Sequence, residues 1–344
     1  MLRKRVSEHF EKNEESKYAD SSMVVKTVFM LSLFILPIIA IILIPFQSAW
    51  ILFGLYILSG IGMAGIGMGV MHDANHGSYS SSNRTNKLLG LTLNLVGANA
   101  NIWKLQHNIL HHSFTNIHDG DDDINTPPFL RFSPDRPNKK IHYYQHYYTW
   151  FFYSLATLSW VTSKDFVRAK RYFQFGLIRT KKDYRRKVWN IILWKAIYFS
   201  YALILPIVLT GFPWWVVFLA FVSMHLVTGM AISTIFQIAH VMPDLEFPKT
   251  DKNGRIDSER MVHQMVTTTN FCPKNRILTW FIGGLNYQVE HHLFPNICHV
   301  HYRKLSPIVK ETAREFDIPY NSEESFLGAL KNHTRMLKEL GRAA

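Results

Sequence analysis

The stretch Ala49-Trp-Ile-Leu-Phe-Gly-Leu-Tyr-Ile-Leu-Ser-Gly-Ile-Gly-Met-Ala-Gly-Ile-Gly-Met-Gly-Val-Met71 carries no charged side chain and runs straight into His72-Asp-Ala-Asn-His76. A bilayer core about 30 Å thick takes roughly 20 helical residues to cross. The run therefore reads as a membrane helix that delivers two histidines at its end. Val24 to Phe46, Val188 to Thr210 and Pro213 to Phe236 are long and apolar enough to do the same. Buried helices of a large soluble protein are the alternative. The first run follows a polar segment, 1–23, and no small-residue cleavage site succeeds it, so it reads as a retained helix and not a signal peptide.

Charge placement gives a direction, because Lys and Arg near membrane helices stay cytoplasmic. Residues 1–26 hold six of the 38 Lys and Arg, 72–187 hold seventeen and 237–344 hold fourteen, whereas the connections around Gln47 and Gly211 hold none. The expected fold is an all-α integral membrane protein: four transmembrane helices in two hairpins, with a cytoplasmic helical cap holding a di-metal site. Both termini and the regions 72–187 and 237–344 face the cytoplasm, and residues 24–344 form one domain. A net charge of +13 suits anionic headgroups or acidic carriers, or is ordinary positive-inside bias. It is not a nucleic-acid signature.

Finer features fit this frame. The hairpins turn at Pro45-Phe46-Gln47-Ser48 and Gly211-Phe212-Pro213, with Trp50, Trp214 and Trp215 where an aromatic belt is expected. Gly60, Gly62, Gly65, Gly67 and Gly69 strip bulk from one helix for close packing or a narrow channel. Tyr143 to Val161 is aromatic with few charges and reads as an interfacial or dipping segment. Asp165 to Lys187 reads as a solvated or headgroup-facing basic helix. Cys272 and Cys298 are expected to stay reduced and receive no role.

The seventeen histidines are more pointed. Random placement would yield about one His-x-x-x-His but only about 0.04 of a His-x-x-x-His-His. The chain has His72-Asp-Ala-Asn-His76, His107-Asn-Ile-Leu-His111-His112 and Gln288-Val-Glu-His291-His292, with His240 just past the fourth apolar run. Spacings of three and four put side chains on one helical face, and every cluster emerges on the same side of the membrane. Neutral imidazole suits iron, copper, zinc and nickel alike. Eight histidines exceed the three or four protein ligands of a zinc site and suffice for two metals. No His-Glu-x-x-His is present, and a heme protein needs few axial histidines.

These motifs resemble those of the membrane fatty-acid desaturases with three histidine boxes, and more narrowly the front-end group typified by linoleoyl-CoA desaturase. The resemblance runs from about Val24 to Pro295. It includes Trp103-Lys-Leu-Gln-His107 through Thr115-Asn116, the acidic Asp121-Asp-Asp-Ile124, and Gln288 through Leu293-Phe-Pro295, the glutamine being similar to front-end members. It implies a di-iron centre, O2 as co-substrate, and removal of two hydrogens from a long-chain acyl group carried as acyl-CoA, on acyl carrier protein or in a lipid. Many eukaryotic front-end members carry a fused cytochrome b5 domain. No His-Pro-Gly-Gly heme motif occurs in these 344 residues, so the expected electron source is a separate ferredoxin or cytochrome b5.

Roles follow from that resemblance. His72, His76, His107, His111, His112, His240, His291 and His292 are the expected ligands, with Gln288 as a weak or water-mediated ninth. Ligating imidazoles usually give their other ring proton to a carboxylate or carbonyl; Asp73, Asp119, Asp121, Asp122, Asp123 and Glu290 are candidates. Asp122, Asp123 and Glu290 are favoured by their motifs, and an ordinary solvated acid is the alternative for each. His263 to Asn270 is either near substrate or plain polar surface. His225 reads as a helix-packing hydrogen bonder and Lys195 as snorkelling. His9, His118, His142, His146, His299, His301 and His333 read as surface residues. Two rivals remain: acyl hydroxylation on the same scaffold, and a non-enzymatic transition-metal carrier. The carrier would need polar ligands along the membrane helices, which hold almost none.

Overall fold

A computed structural model describes residues 1–343. Its principal helices in chain order are α1 (Leu2–Lys12), α2 (Ser21–Leu43), α3 (Ala49–His76), α4 (100–114), α5 (145–174), α6 (Lys181–Leu209), α7 (Trp214–Gln237), α8 (Arg260–Val266), α9 (Gln288–Leu293), α10 (Tyr302–Glu315) and α11 (Phe326–Arg342), with shorter ones at Asn83–Gly90, Thr92–Leu95 and Arg276–Phe281. The chain is mostly helical. The one two-stranded sheet among the described residues pairs Asn270–Phe271 with Ser322–Glu323 in parallel, Asn270 opposite Ser322.

Four helices, α2, α3, α6 and α7, are long and apolar enough to cross a bilayer. Their outer faces leave large apolar side chains exposed, among them Val25, Phe29 and Leu36 on α2 and Trp189, Leu193 and Val208 on α6. Such a belt is unfavourable in water and favourable against lipid. The boundaries differ from hydropathy where charge begins. The Asp20 side chain accepts from Met23 N at 2.9 Å and starts α2 three residues early. Thr180 caps α6, so its first turns are the charged Lys181 to Lys187. Helix α3 does not end at Met71 but continues through His76, stopped by Gly77 in the left-handed region (φ 75°).

Helix α3 lies between α2 and α7, and its glycines allow the approach. A Cβ on Gly62 would sit 2.5 Å from Phe34 N of α2, and one on Gly60 would sit 2.6 Å from Met224 O of α7. Close packing thus accounts for both. Helix α5 runs beside α7, where Thr157 Oγ1 donates to His225 O at 2.8 Å. His225 bonds Tyr198 of α6 through Nε2 (2.8 Å) and Thr157 through Nδ1 (3.2 Å), tying three helices together as its sequence reading expected.

Lys195 does not snorkel. It is buried, with Nζ 2.8 Å from Asp165 Oδ2 and in hydrogen-bond range of Gly97 O and Trp160 O, because α5 brings a carboxylate within reach. The basic stretch is divided in the same way: Arg168 and Arg171 turn inward onto Asp122. The polar N-terminus also folds back. Leu2 and Val6 of α1 pack with Leu305, Val309 and Ala313 of α10, and Arg5 forks onto Glu315 with two 2.7 Å bonds. Helix α11 closes the other flank, with Gln145 donating to Leu337 O and Arg131 to Leu340 O.

Candidate metal centre

Four chain segments aim imidazoles at one buried volume. The end of α3 supplies His72 and His76, one turn apart, with ring centroids 4.8 Å from each other. Asn99 caps α4 by accepting from the Asn101 and Ile102 amides, and α4 changes from α-helix to i→i+5 bonding over Leu105–His111. The wider turn matters, because residues four and five positions on then straddle the direction of the first. His107 stacks on His111 (5.1 Å, 21°) while His112 meets His107 edge-on at 4.8 Å. His240 lies just beyond α7, and α9 brings Gln288, His291 and His292 on one face.

The ring nitrogens sort into groups. Those of His72, His76, His107 and His291 lie within 4.8 Å of one another, as do those of His111, His240 and His292. His112 joins His291 and His292 in a third set that links the two. His72 and His107 approach Nε2 to Nε2 at 3.2 Å, His111 and His292 at 3.2 Å, and His112 and His107 at 3.3 Å. Metal–nitrogen bonds of about 2.1 Å at an angle near ~100° put two nitrogens about 3.2 Å apart. His76 Nε2 and His291 Nε2 are buried with no hydrogen-bond partner among the described residues. Burial holds His107, His112, His291 and His292 well below the usual histidine range and takes His240 to about 3. A neutral ring with a free lone pair is the form that binds a metal. The donor set therefore fits a pair of transition-metal ions.

Outward contacts orient many of these rings through Nδ1, leaving Nε2 inside. His111 Nδ1 is 3.0 and 3.1 Å from the two Asp121 oxygens. Burial alone would lower that histidine, but the Asp121 carboxylate outweighs it and the net direction is up. His292 Nδ1 lies 2.6 Å from Gln264 Oε1, His291 Nδ1 3.2 Å from the Tyr302 hydroxyl, and His240 Nδ1 3.4 Å from Thr267 O. Gln288 brings its amide nitrogen to 2.9 Å from His240 Nε2, beside the clustered rings.

The favoured carboxylates divide differently from expectation. Asp123 sits 3.5 Å from His107 Nδ1 and 3.6 Å from His111 Nδ1, and accepts from Gln106. Asp122 turns away, to Arg168 at 2.9 Å and the Tyr172 hydroxyl at 2.5 Å. The turn is the reason: Asp121 accepts from the Asn116 and Asp123 amides, so it takes the inward place and its neighbour faces out. Glu290 likewise touches no imidazole. It accepts from Asn270 (2.8 Å) and Tyr320 (2.7 Å) on the far side of α9, and burial raises it to about 7 against the pull of those two bonds. Asp119 is exposed.

Several histidines expected at the surface are buried. His299 Nδ1 bonds Asp73 Oδ2 at 2.7 Å with Lys26 Nζ 2.6 Å from its other nitrogen, and Cys298 Sγ donates to the same carboxylate at 3.0 Å. His333 spans Tyr153 and Val241 O, His301 reaches Tyr18 O, His142 reaches Pro128 O, and His146 is buried too. Only His9 and His118 keep appreciable exposure. Gln264 lies in the stretch flagged near the third box. Tyr302 carried no sequence signal, being a lone tyrosine ten residues beyond His292.

A cavity of about 680 Å³ reaches this centre, touching His72, Gln106 and Asp123. Its walls are mostly apolar and include Met63, Gly67 and Met71 of α3, Phe152, Ala156 and Trp160 of α5, and Thr228, Ile232 and Phe236 of α7, with Lys164, Arg168 and Arg171 lining it beside Asp122 and Asp123. Nine residues of helix separate His72 from Met63, a depth of about 13 Å. Such a slot takes an extended apolar chain and presents part of it to the histidines.

Apolar spans, a buried polyhistidine centre and an apolar slot define a membrane oxidoreductase of hydrocarbon chains. The fatty acid desaturase family model matches residues 48–324. The chain is 33% identical over 341 residues to the sn-1 linoleoyl-lipid 6-desaturase of Arthrospira platensis, covering 98% of this chain and 91% of that one. It is 33% identical over 347 residues to the acyl-lipid (8-3)-desaturase of Physcomitrium patens, covering 99% and 71%. The sn-1 linoleoyl-lipid 6-desaturase of Synechocystis sp. matches at 32% over 358 residues, covering 100% and 95%. The chain belongs to the fatty acid desaturase family. It is a membrane protein and an oxidoreductase that desaturates fatty-acyl chains.

Proposed function

We propose that this chain introduces a cis double bond on the carboxyl side of an existing one, in a long-chain acyl substrate, at a centre of two iron ions. The supporting observation is the convergence of eight imidazoles beside an apolar slot that ends at His72. In this reading His72, His76, His107 and His291 hold one iron, and His111, His240 and His292 the other, with His112 between and Gln288 beside His240. When bound, the iron pair with O2 supplies an oxidant strong enough to take hydrogen from an unactivated methylene, which no amino-acid side chain can do.

The chain's own task is placement. Met63, Gly67, Trp160 and Phe236 hold the methylenes straight and exclude water, because a small misplacement costs orders of magnitude in rate. Asp121 and Gln264 keep the Nδ1 protons of His111 and His292 facing outward, so that Nε2 stays a lone-pair donor. The helices pair as two hairpins with the histidine regions and both termini in the cytoplasm, and α1 belongs to the same folded domain. Electrons come from a separate carrier protein, ferredoxin-like or cytochrome b5-like.

Expression in a host fed labelled oleate and linoleate tests the reading. Mass spectrometry is expected to find a product two hydrogens lighter, with its new bond nearer the carboxyl end, and purified protein is expected to hold two irons per chain. A product that has gained oxygen would make the enzyme a hydroxylase. Protein without an iron pair would remove the proposed centre.

A further inference from the structure

The histidine cluster is approached by two cavities. The first is the apolar slot, which ends at His72 and is filled by substrate during turnover. The second, about 480 Å³, opens between α1 and the third histidine box and touches His292 and Gln264. Its walls include Arg3, Lys17 and Arg260 and no carboxylate. Among the described residues none of the three cations has a carboxylate within salt-bridge distance. Four acids of the adjoining segments are engaged elsewhere: Glu8 with Lys4, Glu15 with Lys304, Glu315 with Arg5, and Glu259 with the amides that start α8. The rim thus carries three cations that form no salt bridge, around an opening that reaches His292 of the second histidine group.

The balance of the reaction needs such an entrance. With R and R′ the ends of the acyl chain, RCH2–CH2R′ + O2 + 2e⁻ + 2H⁺ gives RCH=CHR′ + 2H2O. Two electrons must therefore come from outside for every double bond, one from each of two carrier molecules that are oxidised in turn. At this cavity the path inward is short. Leu293, Phe294 and Pro295 line its wall and join His292 by covalent bonds, and Gln264 on its floor is 2.6 Å from the His292 ring.

Resting on the desaturase reading above, we propose that this cavity is the port at which a small acidic one-electron carrier protein docks, delivering electrons to the metal centre by way of His292. Charge complementarity selects that occupant. Long-range attraction between a cationic rim and an acidic surface speeds docking and fades with salt, without demanding a large buried interface.

The test uses full-length, iron-loaded protein in lipid nanodiscs, with a plant-type [2Fe–2S] ferredoxin and its reductase, and separately soluble cytochrome b5 and its reductase. The Arg3→Glu, Lys17→Glu, Arg260→Glu triple variant is expected to raise the KM for the carrier on the order of tenfold and to flatten the salt dependence of the rate. The KM for acyl substrate and the rate with dithionite and methyl viologen as reductant are expected to match wild type. A triple variant with wild-type carrier KM and salt slope overturns the port. Carbodiimide cross-linking of the unmodified protein to ferredoxin gives a reading independent of variant folding. A Lys17 cross-link supports the port, and cross-links confined to other lysines overturn it. Wild-type protein inactive even with dithionite would sink the desaturase reading instead, while the cross-link still reports on docking.

Discussion

The two histidine groups are built from the same residue type but held in different ways. In the His111, His240 and His292 group every Nδ1 has an outward partner: Asp121, Thr267 O and Gln264. In the group that borders the acyl slot, His72 Nδ1 and His107 Nδ1 have none; Asp73 and Asp123 stand 3.7 and 3.5 Å away. His112, between the groups, also has a free Nδ1. Preorganisation is therefore concentrated in the group beside the proposed port, and in the proposed di-iron reading the group beside the apolar slot would depend more on bound metal for orientation. The difference follows from location. The partners of the second group come from the turn at Asp121 and from α8 and the residue after it, whereas His72 and His76 of the first lie at the end of membrane helix α3.

Four experiments test that contrast. The largest effect is expected from His292→Ala or His72→Ala, each removing a proposed ligand: desaturation falls to background and bound iron drops below two per chain, read by product analysis and metal assay, with membrane insertion kept. Next, Asp121→Asn is expected to lower activity or iron affinity about 10- to 100-fold, the range for partners of metal-bound histidines. Wild-type iron retention and turnover in that variant would break the assignment of rigidity to the second group. Tyr302→Phe removes the one hydrogen bond that orients His291 and is expected to cost only a few-fold in kcat, because metal bonds dominate orientation in the first group. A loss as large as that of Asp121→Asn would erase the contrast. The smallest effect on chemistry is expected from Asp122→Asn. It weakens the tie to Arg168 and Tyr172, so the melting temperature falls by a few degrees while iron content is unchanged; iron loss there would mean Asp122 shapes the centre after all.

A fifth measurement concerns the helices. Lys195→Met leaves Asp165 buried without its cation and is expected to cost about 3–5 kcal/mol. Adding Asp165→Leu in the same chain should recover most of that in a denaturation series. A single variant as stable as wild type would mean the pair is solvated and Lys195 reaches the interface.

The spans were legible because lipid demands a composition, and no run of that length occurs by accident in a charged chain. Their charged ends were not: Lys181 and His76 lie in helices whose membrane-facing part stops well before the helix does. Seven of the eight histidines were legible from spacing, and His240 from its place just past the fourth apolar run. Partner carboxylates were not, because in Asp121-Asp122-Asp123 the side-chain direction depends on which carboxylate satisfies the turn's own amides. Buried histidines such as His299 and His333 looked like surface residues because a sequence cannot show that an acid or a tyrosine from distant chain waits beside them.

Residue type and spacing by themselves determined that this protein has four apolar helices and imidazoles enough for two metal ions, because bilayer thickness and ligand number are counting constraints met locally. Which imidazoles share a site, which acid steadies them, and that one cavity is mostly apolar while the other has cations and no carboxylate in its wall were decided only when α3, α4, α7 and α9 met. Those are relations of direction between segments as much as 220 residues apart (His72 and His292), and direction is set by packing and by a widened turn in α4 that no local propensity announces.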